Sequence, residues 1–276
     1  MASIRKLETS GGRVNCRVWG NGPATLIALH GYGDSGLFYE KLAEVLSGRY
    51  RLWAPDLPFH GETSWQTAHF GPPAIAELLE AVLREEESGA FDLLGFSWGA
   101  RLAAGQLLAD GPRPECLLLA APDGFQTNGM RIPDAVPASV RKALSDFILS
   151  FPGAVLRGGR LLEKLKIIPP SAGLFLRSNL RRASRRKRVL AAWRSTAGFP
   201  GNRRDWRRAL DKCECRVEVL LGSKDPLVNE ETVRRTLEDL PDVRIRSREG
   251  GHKLDIEAIE EILNESGQTG SEGIKP

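Results

Sequence analysis

The sequence predicts an α/β protein: a mostly parallel, doubly wound sheet with an inserted helical cap. Two observations predict it. Short apolar runs alternate with helical patterns through the first half of the chain and again near its end. Between these regions, residues 125–206 carry helical patterns and no convincing strand. A strand-helix-strand rhythm implies parallel strands covered on both faces by helices.

The elements follow in order. Val14 to Trp19 reads as a strand and Ala24 to Leu29 as a buried one; Phe38 to Leu46 has helical spacing, and Tyr50 to Ala54 is strand-like again. Pro72 to Leu83 reads as a helix, with prolines at its start and Ile75, Leu78, Leu79 and Val82 on one face. Phe91 to Phe96 is a strand and Trp98 to Ala109 a helix, which Gly111-Pro112 stops before the next strand, Cys116 to Ala121. In the insertion, Val140, Ala143, Leu144, Phe147, Ile148 and Phe151 repeat at helical spacing. Pro169-Pro170-Ser171 interrupts, and Leu180 to Trp193 is an arginine-studded helix. Strands resume at Arg216 to Leu221 and Val243 to Ser247, followed by a helix from Leu254 to Leu263. The expected organisation is a core of residues 1–124 and 207–264, a helical cap at 125–206, and a flexible tail at 265–276.

Composition narrows the classes. Of 276 residues, 41% are hydrophobic and 27% charged, the balance of a soluble globular protein. No apolar run approaches the ~20 residues that cross a bilayer. The first eight residues lack an apolar core, so no secretory signal is expected and cytoplasmic residence is the default. Cys16 and Cys116 lie in strand-like runs and read as buried thiols. Cys213 and Cys215 are too close for an easy disulfide and lack a second pair for zinc, so no metal or redox role is expected. The net charge is only +4, yet Arg157 to Arg208 holds sixteen Lys/Arg against Glu163 and Asp205. That segment suits an anionic substrate, an acidic partner, a membrane surface, or simply a solvated helix face.

The chemistry centres on Gly95-Phe96-Ser97-Trp98-Gly99, which ends one strand and opens a helix. A serine on such a turn projects its hydroxyl to solvent beside free helix N–H groups that can hold an oxyanion. A nucleophilic serine needs a base, and the base needs an acid to orient it. Of the four histidines, His252 follows Glu249-Gly250-Gly251 just after the last strand and has the best position. Asp225, in Ser223-Lys224-Asp225-Pro226 after a buried strand, is the favoured acid, and Asp123 is its rival after an earlier strand.

Four stretches then share a pattern. Leu29 to Ser35 resembles the oxyanion loop of the α/β-hydrolase fold family, and Ala54 to Gly61 the turn after its next strand. Gly95 to Gly99 resembles its nucleophile elbow, and Gly222 to Val228 with Gly251-His252 its acid and histidine loops. The order and spacing from residue 24 to 253 are similar to the capped serine-hydrolase branch. The resemblance implies Ser97 as nucleophile, His252 as general base and Asp225 as its orienting acid. It also implies an oxyanion hole from the Tyr32 and Trp98 N–H groups. The bulky Trp98 stands where the branch commonly has a small or polar residue, so its ring is expected to line the acyl pocket. His30 and His60 are expected to organise turns, and His69 to sit at the surface.

The implied function is cleavage of a carboxylic ester or thioester through an acyl-enzyme, with no metal or organic cofactor. The expected partner is a small-molecule ester, with an anionic ester or one carried on an acidic protein left open by the basic segment; nucleic acid is not expected. Two alternatives remain open: a carbon–carbon bond lyase on an anionic substrate, similar to family members of menaquinone synthesis, and a non-catalytic receptor on the same fold.

Overall fold

The computed structural model describes residues 2–67, 70–125, 138–168, 170–195, 199–240 and 242–269. Its strands are β1 (Ser3–Thr9), β2 (Gly12–Trp19), β3 (Ala24–Leu29), β4 (Tyr50–Pro55), β5 (Ser64–Trp65), β6 (Asp92–Phe96), β7 (Cys116–Ala120), β8 (Arg216–Gly222) and β9 (Val243–Arg248). They form one sheet in the order β1-β2-β4-β3-β6-β7-β8-β9, with β5 beside β2. β1 and β2 make an antiparallel hairpin and β2 pairs antiparallel with β4; from β4 through β9 the sheet is parallel. The α/β architecture expected from the sequence is therefore the one present.

The central parallel strands β3, β6 and β7 are almost wholly apolar because both faces are covered, whereas the edge strand β9 carries Arg244, Arg246 and Arg248. Leu26 to Leu29 and Leu117 to Leu119 are essentially inaccessible to solvent. The covering helices outside the insertion are α1 (Glu40–Leu46), α2 (Pro72–Glu86), α3 (Trp98–Gly105), α8 (Arg203–Leu210), α9 (Glu230–Leu237) and α10 (Ile256–Thr269). Asn202 and Asn229 cap α8 and α9, each side chain accepting a backbone N–H three residues on, at 3.0 and 2.8 Å.

Between β7 and β8 the described chain is helical: α4 (Ala138–Ser150), α5 (Pro152–Lys164), α6 (Pro170–Leu180) and α7 (Ala183–Ser195). These helices have a small core of their own, Ile148, Leu180 and Leu190, apart from the main one.

Three details differ from the sequence reading. Cys213 and Cys215 are joined by a disulfide: the chain turns between α8 and β8, and their Cα atoms lie 5.1 Å apart, within disulfide reach. The last helix does not end at Leu263; α10 continues to Thr269 into the expected tail. β1 was not predicted because only Leu7 of it is buried and, apart from Ile4, its exposed residues are polar. His69 lies outside the described residues.

Because β3, β6, β8 and β9 run parallel, the loops that follow them emerge at one edge. Gly95 near the end of β6 pairs with Leu29 of β3 on one side and Leu119 of β7 on the other. That edge is where open α/β sheets bind ligands.

Candidate active site

Ser97 sits between β6 and α3 with φ 54° and ψ −116°, a backbone conformation that L residues rarely adopt. Neighbouring backbone supports it. The Ser97 N–H donates to the Ala120 carbonyl at 2.8 Å, and the Ser97 carbonyl accepts from the Ala100 and Asp123 N–H groups at 3.1 Å each. The flanking glycines are required by space. A Cβ on Gly99 would collide with the Leu29 and His30 carbonyls, and one on Gly95 with the first turn of α3.

His252 comes from the loop after β9, and its Nε2 lies 2.9 Å from Ser97 Oγ. Its Nδ1 lies 2.7 Å from Asp225 Oδ2. One tautomer satisfies both contacts: Nδ1–H donates to the carboxylate, and Nε2 accepts from the serine hydroxyl. The Asp225 side chain is buried, and its other oxygen accepts from the Leu227 and Val228 N–H groups at 2.7 and 3.0 Å. The carboxylate is thus fixed by its own turn before it meets the imidazole. Asp123 is placed differently: its backbone supports Ser97, while Asp225 carries the contact to His252.

Tyr32 and Trp98 flank the serine. Trp98 opens α3, so its N–H has no carbonyl to meet within the helix. A Cβ on Gly31 would lie 3.5 Å from Ser97 Cβ, which sets the Gly31–Tyr32 peptide beside the hydroxyl. The Tyr32 and Trp98 rings pack with centroids 4.6 Å apart, and His60 and Phe70 complete a wall around the indole.

The loop carrying Tyr32 is held by two buried histidines. His30 Nε2 accepts from the Leu57 N–H at 3.0 Å and its Nδ1–H donates to the Gly31 carbonyl at 2.8 Å. His60 Nε2 accepts from the Gly33 N–H at 3.0 Å and its Nδ1–H donates to the Pro58 carbonyl at 2.9 Å. Burial pushes His30 down to about 3 and His60 to about 4, so both are neutral near pH 7. Asp56, also buried, accepts from the Gly36 N–H at 2.7 Å, Arg17 at 2.9 Å, Asn15 at 3.0 Å and the Glu62 N–H at 2.9 Å. Burial alone would raise its pKa, but these donors together hold it below the usual carboxylate value.

Helix α7 rests on the same loop. The Tyr32 hydroxyl donates to the Val189 carbonyl at 3.1 Å, and Arg185 Nη2 lies 3.4 Å from the Tyr32 carbonyl. Arg185 Nε is buried against Gly33 and makes no hydrogen bond among the described residues. Sequence reasoning missed this placement, because the arginine run gives no sign of which member turns inward.

The sequence pattern of the alpha/beta hydrolase family matches residues 26–262. The chain belongs to that family. An esterase from Rhodococcus sp. is 25% identical with a TM-score of 0.66, covering 98% of this chain and 99% of that one. A carboxylesterase from Bacillus subtilis has the same TM-score at 18% identity, covering 99% of this chain and 93% of that one, a likeness of fold. Among curated relatives, the magnesium-chelatase 30 kDa subunit of Rhodobacter capsulatus is 36% identical over 120 residues, 42% of each chain. A pimeloyl-[acyl-carrier protein] methyl ester esterase from Aeromonas hydrophila is 31% identical over 109 residues, 39% of this chain and 41% of the relative. Each of these curated matches spans about two fifths of the relative's length.

Proposed function

We propose that this hydrolase-family protein cleaves carboxylic esters or thioesters through an acyl-enzyme on Ser97. The observation that carries the reading is the hydrogen-bonded line from Ser97 Oγ through His252 to Asp225, at 2.9 and 2.7 Å. In this mechanism Oγ attacks the ester carbonyl carbon as its proton passes to His252 Nε2. Asp225 keeps the second imidazole proton on Nδ1 and stabilises the imidazolium. The tetrahedral oxyanion is received by the Tyr32 and Trp98 N–H groups, donors of a kind typically worth ~3 kcal/mol each in barrier. His252 then protonates the leaving alcohol or thiol. Water attacks the acyl-enzyme by the same path, releasing the acid and restoring Ser97.

The helices α4 to α7 act as a cap over this site in the proposal, and Arg185, with Arg188 of α7 close enough to His60 to help lower its pKa, favours a substrate with a negative charge. Arg185 supplies a buried Nε beside the oxyanion loop that makes no hydrogen bond among the described residues. The esterase and carrier-protein relatives are consistent with an ester presented either free or on an acidic protein. The same cations favour, as a second reading, a carbon–carbon bond reaction on an anionic substrate.

The test is a profile over p-nitrophenyl and thioester substrates of varied chain length and charge. The expected result is turnover that needs Ser97, with Arg185→Ala raising KM for carboxylate-bearing esters more than for neutral ones. No turnover of any ester would sink the esterase reading and leave the carbon–carbon reaction or a receptor.

A further inference from the structure

The apolar stripe on α4 does not enter the core. Val140, Leu144, Phe147 and Phe151 recur at i, i+4, i+7 and i+11 and are 41–57% exposed. A different stripe of the same helix is the buried one: Ser145 and Ile148 face inward, and Ile148 packs with Leu180 and Leu190. The pattern continues after α5 begins, where Leu161, Leu162, Leu165 and Ile167 are 38–64% exposed. With Leu174 of α6, residues 140–174 hold nine of the twelve large apolar side chains exposed among the described residues. Concentration of this kind marks an interaction surface.

The charges beside this surface point to its occupant. Arg157, Arg160 and Lys164 fall at i, i+3 and i+7 on α5, a face they share with Leu161, and Lys166 follows. All four cations are exposed, and none forms an ion pair among the described residues. Glu163, the one acid of α5, is committed to Arg177. A second copy of the chain would bring these uncompensated cations against their own kind. An acidic protein would meet the cations but would have to cover leucines and phenylalanines spread over two successive helices. Exposed Phe and Leu flanked by unpaired Arg and Lys form the pattern of a helix lying in a lipid interface, where acyl chains take the apolar groups and anionic headgroups the cations.

We infer that the outer face of α4 and α5 seats the protein on an anionic lipid surface. The contact is peripheral, since no described helix is long and apolar enough to cross a membrane. The surface is tied to the site through α7. Arg141 and Asp146 of α4 contact the Trp193 carbonyl and Arg194, and Val189 receives the Tyr32 hydroxyl. The inference stands on exposure and charge alone and does not depend on which bond the protein cleaves.

The experiment is flotation of the full chain with vesicles of phosphatidylcholine alone or mixed with phosphatidylglycerol. The expected result is comigration with the anionic vesicles only, reversed by high salt. Two variants then separate the contributions: Phe147→Ser with Phe151→Ser, and Arg157→Glu with Arg160→Glu and Lys164→Glu. Each should weaken partitioning by at least about tenfold while leaving ester turnover and the thermal transition unchanged. If a combined variant fails to fold, the single changes Phe147→Ser and Arg160→Glu are read in the same assay, each with a smaller loss expected. Absence of wild-type comigration, equal binding to neutral vesicles, or binding indifferent to both variants would overturn the inference. A concentration-dependent dimer that Phe147→Ser dissolves, with no vesicle binding, would make a second copy the occupant.

Discussion

His60 Nε2 accepts the Gly33 N–H at 3.0 Å, so a buried histidine from the turn after β4 fixes the loop that presents Tyr32 beside Ser97. The two residues are 27 positions apart in sequence, and neither hydrogen-bonds Ser97, His252 or Asp225 among the described residues. The bond matters because an oxyanion donor is effective only when it is already in place.

His60→Ala is therefore expected to lower kcat on a p-nitrophenyl ester by roughly tenfold to a hundredfold with little change in KM. His60→Gln, whose side-chain oxygen can accept the same N–H, should retain more of the rate. Equal losses in both variants would assign His60 a packing role only. Steady-state kinetics on the folded variants decides it.

The same histidines make stability depend on pH. Burial lowers His60 to about 4 and His30 to about 3, against 6.5 for an unperturbed histidine. Between those values the unfolded chain binds protons that the native state refuses. Their contribution is therefore complete above about pH 6.5 and is lost as pH falls through 6.5 toward 4. The His60 shift alone corresponds to roughly 3 kcal/mol, and the pair does not add simply because each ring's charge disfavours the other's. Denaturant midpoints should fall between pH 7 and pH 4.5, and the fall should be smaller in His60→Gln. A pH-independent midpoint would contradict the burial argument.

The two candidate acids can be told apart. Asp225→Asn should cut kcat on the order of 1,000-fold or more, since the amide favours the wrong imidazole tautomer. Asp123→Asn leaves its backbone bond to the Ser97 carbonyl in place and should stay within severalfold of wild type. Kinetics of the two variants side by side provides the check, and a reversed order would move the acid to Asp123.

What the sequence could show was local. Alternating runs revealed the parallel sheet, since strands buried on both faces are continuously apolar, as Leu26 to Leu29 are. Gly95 and Gly99 could be read as obligatory because a strand-to-helix turn leaves no room for Cβ atoms, and the structure puts carbonyls and α3 backbone there. Other features depended on distant partners. The apolar spacing marked α4 as a helix, but spacing cannot say which of two apolar stripes faces inward, and Ile148 rather than Phe147 does so. The Cys213–Cys215 bridge depends on a chain bend that residue types do not announce. Arg185 differs from its neighbours only because α7 lies on the oxyanion loop.

The central claim is that Ser97 is a nucleophile activated by His252. Its most direct measurement is intact-mass and peptide analysis after treatment with a fluorophosphonate, which forms a stable adduct with an activated serine. The predicted result is a single adduct on Ser97, absent in Ser97→Ala and formed far more slowly in His252→Ala. No adduct on the folded protein, or an adduct that persists in Ser97→Ala, would contradict it.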